Sequence, residues 1–351
     1  MLCVRCLAVF LLPVLVAAQP LRTRNVILVT ADGLRWQDLF HGIDPLLANE
    51  KSVSMAPGIA AADARRKRAA TRELLAPFFW STIANNGVVL GNVKVTNAFR
   101  VSYPGYSEIL TGRASDSIIT GNIDVQQPNE TVLESLRRRL NLPKDRVGLF
   151  ASWDHFHYIG EHTPKSITIN AGYEDSPYSP ALSRLQHLAE TPWDEARHDA
   201  FTFDMALEYL KAAKPRLLMI SLDETDDWAH NHRYDMVLDS IHNFDGFLKT
   251  LWTAIQNMPE YRVSTTLIVT TDHGRGSKLG DWSDHGRKVE GADKIWMAIL
   301  GPDTPAAGES QARAEQRDIA PTIVKLMGID PAEYKGATGK PIAAAFRPNE
   351  K

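Results

Sequence analysis

The sequence is almost free of cysteine. Its 351 residues contain only Cys3 and Cys6, and both lie in a segment that we interpret as a signal peptide. The mature chain would then have no thiol, which excludes disulfides, cysteine-ligated zinc and a cysteine nucleophile together. Any catalysis has to come from hydroxyls, imidazoles and carboxylates.

A strong excess of charge of one sign is also absent. The chain has 39 Lys and Arg against 42 Asp and Glu, a net charge of -3. Such a balance gives no electrostatic footprint for a nucleic-acid polymer or an anionic membrane, so we expect a small-molecule partner. The basic run 65–68 is interpreted as a solvated helix face. No pattern indicates an oligomeric state.

The sequence has a single long hydrophobic run, from Leu7 to Val16. A basic start precedes it, and the small residues Ala17 and Ala18 follow it, as in a secretory signal peptide. The run is shorter than the about 20 residues of a membrane-spanning helix. We therefore predict a signal peptide over 1–20, a secreted or periplasmic protein, and no transmembrane anchor after cleavage. An uncleaved anchor or a buried N-terminal helix is the alternative.

The rest of the chain alternates between strand-like and helical patterns. Continuous apolar runs predict strands buried on both faces at 25–30, 147–150, 217–220, 266–270 and 295–300. Helical periodicity lies between them, at 129–140, 199–213, 236–255 and 316–327. We predict an α/β protein, a three-layer α/β/α sandwich with a mostly parallel central sheet. Residues 21–351 would form a single catalytic domain, with 154–197 as a lid-like insertion.

Carboxylates and imidazoles follow the predicted strands. Ligands of open α/β sheets bind beyond the carboxyl ends of the strands, where these side chains would meet. Singly, each has a structural explanation, such as a helix N-cap or an i,i+4 contact. Together they offer oxygen and nitrogen donors without sulfur, which suit zinc or manganese. The candidates are Asp32, Asp226, His230, Asp272, His273 and His285.

In order and content, these motifs resemble the alkaline phosphatase superfamily, most closely its type I phosphodiesterase/nucleotide pyrophosphatase branch. The likeness is carried by 32–35, 224–230, 271–274, 284–286 and the tail 317–323. It implies an alkaline phosphatase-like fold and two divalent metal ions, with Zn²⁺ as the expected ion and Mn²⁺ as the alternative. One metal would be held by Asp226, His230 and His285, and the other by Asp32, Asp272 and His273. Two such ions can stabilise both the attacking and the leaving oxygen of an in-line displacement.

The resemblance also implies the nucleophile. Residues 101–113 are similar to the family's Ser/Thr-x-Pro segment, so Ser102 would attack the ester and contact one metal. A hydroxyl at a helix N-terminus suits this role, because the free N–H groups there favour an anionic oxygen. Asn122 resembles the family's donor to a phosphate oxygen, although a turn asparagine is equally compatible with it.

The expected function is hydrolysis of a phosphoric ester, either a phosphodiester or a phosphomonoester, with three alternatives. A sulfatase shares the fold, but its modification motif has Arg where this chain has Tyr106, and its paired Asp ligands are replaced by Ala31-Asp32. A phosphomutase would carry a larger inserted domain. A non-catalytic binding module would be expected to lack part of the constellation. Aromatic residues at 103, 106, 153, 158, 173 and 193 form either a substrate wall or ordinary packing.

Overall fold

The computed structural model describes residues 20–49 and 67–348, and within them one nine-stranded sheet forms the centre of the molecule. The strand order is β4-β3-β5-β1-β6-β7-β2-β8, and β9 pairs with β2. The strands are β1 (Asn25–Ala31), β2 (Val88–Lys94), β3 (Val147–Ala151), β4 (Thr168–Ala171), β5 (Leu217–Leu222), β6 (Thr265–Thr270), β7 (Lys294–Leu300), β8 (Gly308–Ser310) and β9 (Ala314–Glu315). Only the pairs that β7 makes with β6 and β2 are antiparallel.

The register of the central strands brings three loops to one edge of the sheet. β1 lies between β5 and β6 and is parallel to both. Thr30 is opposite Ser221 on one side and Thr270 on the other. Because these strands end together, the segments that follow them begin side by side, as the sequence patterns predict.

Helices cover both faces of the sheet, which confirms the predicted three-layer architecture. Ile27 and Val29 pack into one hydrophobic core, while Val26 and Leu28 pack into the other. This alternation follows from the two-residue period of a strand. The principal helices are Trp36–His41, Ser102–Thr111, Val132–Arg139, Pro180–Gln186, Asp199–Ala213, Glu224–His230, Tyr234–Asn257 and Ile319–Leu326. Shorter helical segments are Pro45–Asn49, Arg72–Leu75, Phe79–Ile83, Ala84–Asn86, Lys144–Arg146, Phe156–Ile159, Gln316–Asp318, Pro331–Glu333 and Ala343–Ala345.

Two features of the sheet differ from the sequence pattern. β2 is not predicted, because Gly91 and Asn92 interrupt its apolar run. The antiparallel direction of β7 is not predicted either. A parallel neighbour of β6 would need a crossover, usually a helix, whereas 271–293 contains only turns and loops.

The stretch 154–197 contributes to the sheet as well as to the surface. Its segment β4 pairs with β3 and forms one edge, and the helix Pro180–Gln186 follows it. The lid-like role and the single-domain boundaries stay predictions. The predicted signal peptide lies outside the described residues, except for Pro20. No helix in 20–49 or 67–348 combines the length and apolar character that crossing a bilayer requires.

Glu108 anchors the helix Ser102–Thr111 in the core. Its buried carboxylate accepts hydrogen bonds from the backbone N–H groups of Thr96, Asn97 and Arg317, at 2.8 to 3.2 Å. It also accepts the hydroxyl of Thr96 at 2.7 Å and the side-chain amide of Asn97 at 3.0 Å. Burial raises the pKa of Glu108, and these donors oppose that shift.

We expect Glu108→Ala to lower the free energy of unfolding by about 3 kcal/mol or more, because several buried donors lose their acceptor. Urea denaturation measures this effect. Glu208→Ala is the matched control, since Glu208 pairs with Lys211 at the surface, and it should change the stability by less than about 0.5 kcal/mol. Equal stability of the two variants would contradict the anchoring role.

Candidate active site

Three of the predicted residues form a buried group at the ends of β1 and β6. Asp32 follows β1, and Asp272 and His273 follow β6. Nε2 of His273 lies 3.4 Å from Oδ1 of Asp32 and 3.4 Å from Oδ2 of Asp272. The backbone N–H of Gly33 donates to Oδ1 of Asp272 at 3.0 Å, which fixes that carboxylate. One ligand atom from each of the three residues fits within 4.8 Å.

A second group adjoins the first. Oδ1 of Asp226 is 3.7 Å from Nε2 of His273 and 3.9 Å from Nε2 of His285. Nε2 of His230 lies 2.9 Å from Oδ2 of Asp226 and 3.0 Å from Nε2 of His285. All six predicted metal ligands therefore converge. The sequence assigns His273 to one group only, whereas in the structure it lies within reach of both.

Backbone carbonyls orient two of the imidazoles. Nδ1 of His273 lies 3.0 Å from the carbonyl oxygen of Gly274, and Nδ1 of His285 lies 3.2 Å from that of Arg100. A carbonyl oxygen only accepts, so in each ring Nδ1 carries the proton. When these rings are neutral, each Nε2 therefore presents a lone pair toward the cluster, the arrangement typical of metal-binding histidines.

Burial and mutual electrostatic interactions shift the pKa values of the groups in this cluster. Burial and the neighbouring Asp32 raise the pKa of Asp272 to about 7. Burial lowers the pKa of His273, but Asp272 and Asp32 outweigh it and raise that pKa to about 9. Burial and the nearby His273 lower the pKa of His285. These shifts have the common cause that ionisable groups are crowded in a space with little water.

Ser102 faces this cluster. It is the first residue of the helix Ser102–Thr111, and its Oγ lies 3.5 Å from Oδ1 of Asp32 and 3.5 Å from Nε2 of His273. The helix approaches the strand end closely, because Gly105 has no side chain: a Cβ there would lie 2.5 Å from the carbonyl oxygen of Asp272. This contact places the hydroxyl beside both groups.

Asn122 lies beside the start of the Ser102–Thr111 helix, and its contact with a phosphate oxygen stays a prediction. Its Oδ1 accepts the backbone N–H of Tyr103 at 2.9 Å, so Oδ1 is occupied and the side-chain NH₂ remains a donor. The cavity measures about 330 Å³, and both Ser102 and Asn122 line it. Its other lining residues are Trp153, Trp193, Asp194, Glu195, Ala196, Asp223, Asp226, Asp227 and His230.

Arg275 is a site residue that sequence reasoning missed. Its buried guanidinium contacts Oδ1 of Asp226 and the backbone carbonyl oxygens of Gly33 and Ser283. Burial lowers its pKa to about 10, which leaves it charged at neutral pH. Its position directly after the Asp-His-Gly motif is the signal that could have identified it. The contact holds the Asp226 carboxylate in place.

Asp223 and Asp227 were missed as well. Burial raises the pKa of Asp223 well above its usual range, and burial with the nearby Asp32 raises that of Asp227 to about 7. Both line the cavity beside Asp226. With pKa values raised this far, the two carboxyl groups are at least partly protonated at neutral pH, so they add little negative charge beside the predicted ligands.

The donor set fits divalent cations. Oδ2 of Asp272 is buried and has no hydrogen-bond partner among the described residues, although a buried carboxylate oxygen normally has one. An ion within reach of His273 would satisfy this oxygen. Three carboxylates and three imidazoles without sulfur suit zinc or manganese.

Part of the chain matches a family of metalloenzymes. A family model described as the Metalloenzyme superfamily matches residues 193–331, which implies divalent metal ions. Among curated relatives, the 2,3-bisphosphoglycerate-independent phosphoglycerate mutase of Gracilaria tenuistipitata var. liui is 25% identical over 122 residues, 34% of this chain and 23% of the relative. That of Haloarcula marismortui is 24% identical over 140 residues, 40% of this chain and 25% of the relative. The matches thus span about a quarter of the length of these relatives.

Solved structures match over nearly the whole chain. Alkaline phosphatase PafA superimposes with a TM-score of 0.65 at 12% identity, over 94% of this chain and 100% of that one. The chain has the alkaline phosphatase superfamily fold. A phosphonate monoester hydrolase from Silicibacter pomeroyi shares this fold, with a TM-score of 0.58 at 13% identity, over 94% of this chain and 78% of that one. A 2-O GAG sulfatase shares it too, with a TM-score of 0.60 at 13% identity, over 94% of this chain and 76% of that one. The resemblance to the superfamily is confirmed, and the branch stays a prediction.

The crowded cluster predicts that cations stabilise this alkaline phosphatase-like chain. Ions that bind only the folded state at 100 times their Kd add about 2.7 kcal/mol. We expect Zn²⁺ to raise the Tm of the metal-free protein by about 3 °C or more, and EDTA to reverse the change. Differential scanning fluorimetry measures it. An unchanged Tm, with no cation found by elemental analysis, would contradict the cluster's role.

Proposed function

We propose that the protein is a secreted or periplasmic hydrolase of phosphoric esters that uses two divalent metal ions and a serine nucleophile. Asp32, Asp272 and His273 would hold one ion, and Asp226, His230 and His285 the other. The observation that carries the proposal is the position of the Ser102 oxygen, 3.5 Å from both Asp32 and His273 at the edge of the cavity. Zn²⁺ is the expected ion, with Mn²⁺ as the alternative.

Bound divalent cations would supply Lewis-acid stabilisation of the charge that develops on the ester oxygens. Ser102 attacks phosphorus, and the bond to the leaving alcohol breaks as the alcohol takes up a proton. A water molecule then splits the phosphoseryl ester and restores the hydroxyl. The side-chain NH₂ of Asn122 donates to a phosphoryl oxygen, and the positive end of the dipole of the Ser102–Thr111 helix favours the negative charge of that oxygen.

The cavity lining favours a phosphodiester over a monoester. No Lys or Arg is among the residues that line it, so the third charged oxygen of a monoester would have no cationic side chain to pair with. A diester carries one charge less and needs no such partner. The expectation agrees with the resemblance to the phosphodiesterase branch.

A panel of chromogenic esters tests the proposal on protein whose metal content has been measured. We expect p-nitrophenyl phosphodiesters to be the best substrates, ahead of the phosphonate, the phosphomonoester and the sulfate. Activity should disappear with a chelator and return with Zn²⁺. A preference for the sulfate would favour a sulfatase, and interconversion of 2- and 3-phosphoglycerate would favour a mutase. Lack of turnover in every arm would contradict the proposal.

A further inference from the structure

The mouth of the cavity combines indole rings with carboxylates. Trp153 and Trp193 line one part of it, together with the exposed side chains of Asp194 and Glu195. Asp223 and Asp227 line the part nearer to the predicted metal ligands. The exposed carboxylates of Asp194 and Glu195 are additional to the predicted ligands, so cations bound by those ligands would leave this negative charge at the mouth of the cavity.

Trp153 is held in a fixed position beside Glu195. Its indole is 9% exposed, and His155 stacks on it with ring centroids 4.6 Å apart and planes 12° apart. Its Nε1–H donates to Oε2 of Glu195 at 3.1 Å. The backbone N–H of Asp154 donates to the carbonyl oxygen of Glu195 at 3.0 Å, and Trp153 forms a β-bridge with Ala196. An aromatic ring and a carboxylate are therefore preorganised side by side.

Trp193 is positioned by a second indole. Its ring packs at 85° against that of Trp228, with centroids 4.9 Å apart. Nε1 of Trp193 is buried, with no hydrogen-bond partner among the described residues. The ring is thus held by packing, and it remains part of the cavity wall.

Indole faces attract cations through the ring quadrupole, and aromatic sites of this kind recognise quaternary ammonium groups. The neighbouring carboxylates add Coulombic attraction without a competing Lys or Arg in the lining. We propose that the preferred substrates are phosphodiesters in which one alcohol carries a quaternary ammonium group, as in a phosphocholine ester. This inference rests on the proposed phosphodiester hydrolysis, and it assigns the Trp153, Trp193, Asp194 and Glu195 wall to the cationic substituent.

A pair of substrates that differ only in charge tests the inference. p-Nitrophenyl phosphocholine and p-nitrophenyl 3,3-dimethylbutyl phosphate have nearly the same shape, but only the first carries a cation. We expect kcat/KM to be about 10-fold higher for the choline ester, the size of a desolvated cation–π contact with a nearby charge. A ratio near one, with both esters hydrolysed, would overturn the inference and leave the proposed function intact. If neither ester is hydrolysed by the metal-loaded protein, the proposed function itself fails.

Two variants test whether the preference for the choline ester arises at the cavity wall. Glu195→Gln and Trp193→Leu should each reduce the preference for the choline ester by about 3-fold or more. Glu208→Gln is the matched control, because Glu208 lies outside the cavity and pairs with Lys211, and it should leave the ratio unchanged. A preference that survives both wall variants would place the cation elsewhere and overturn the assignment.

Calorimetry gives a readout that does not require turnover. We expect phosphocholine to bind the metal-loaded protein with a lower Kd than 3,3-dimethylbutyl phosphate. Glu195→Gln should reduce the ratio of these two Kd values. Ethanolamine phosphate extends the series to a protonated amine. Equal affinities for phosphocholine and its neutral isostere would overturn the inference whatever the kinetics show.

Discussion

Ser102→Ala is expected to lower kcat/KM for the best phosphodiester by at least about 10³-fold, the order found when a nucleophilic serine is removed. The loss should fall on kcat, because the missing oxygen forms the bond to phosphorus. The side chain is small and lies at a helix start, so the fold should be preserved. Steady-state kinetics, elemental analysis and the Tm together measure this outcome, and metal content and Tm should not change.

Ser107→Ala is the matched control for this experiment. Ser107 lies in the same helix and is buried, but its hydroxyl contacts Gln127 at 3.2 Å rather than the metal-ligand cluster. We expect this variant to keep most of the activity. Full turnover by Ser102→Ala, or no trapped phosphoseryl peptide in mass spectra of the quenched wild type, would refute the nucleophile assignment.

The sequence predicts the centre of the sheet well. The runs that become β1, β5 and β6 contain no charged residue, and their polar positions are small or mid-sized, because both faces of these strands are buried. Such runs indicate strands in the interior of a sheet that is covered on both faces. Motifs placed immediately after them must lie at one edge, so convergence at the carboxyl ends of the strands is predictable without knowledge of the packing. Asp32 and Asp272 lie in one candidate metal group and Asp226 lies in the adjacent one, and His273 is within reach of both groups.

Features that depend on packing between distant segments were not predictable. β7 pairs with β6 in the antiparallel direction, and its apolar run predicts a strand but carries no information about the direction of that strand. The sequence marks Arg275 only by its position directly after the Asp-His-Gly motif, and its contact with Asp226 becomes visible only once the helix Glu224–His230 is placed against it. His273 lies within reach of both candidate metal groups. This depends on interatomic distances of a few ångströms, which cannot be predicted from the positions of the strands in the sequence.

Substitution of Asp226 tests the prediction from the sequence motifs and the contacts seen in the structure at the same time. Sequence motifs nominate it as a metal ligand, and the structure adds its ion pair with Arg275 and its proximity to His230 and His285. Arg275 neutralises part of the charge that Asp226 presents to a cation. It also fixes the carboxylate, so an uncharged replacement disturbs both the ligand and its support.

We expect Asp226→Asn to lower the bound metal by about one ion per chain and kcat/KM by at least about 100-fold, because a ligand is lost and a buried guanidinium loses its counter-charge. Elemental analysis and diester kinetics on the same preparation measure both effects. Asp204→Asn is the control, since Asp204 is exposed on the helix Asp199–Ala213, and it should keep both values. If Asp226→Asn retained two ions and the full rate, the cluster would bind both ions through its imidazoles and remaining carboxylates, and the assignment of Asp226 as a metal ligand would be wrong.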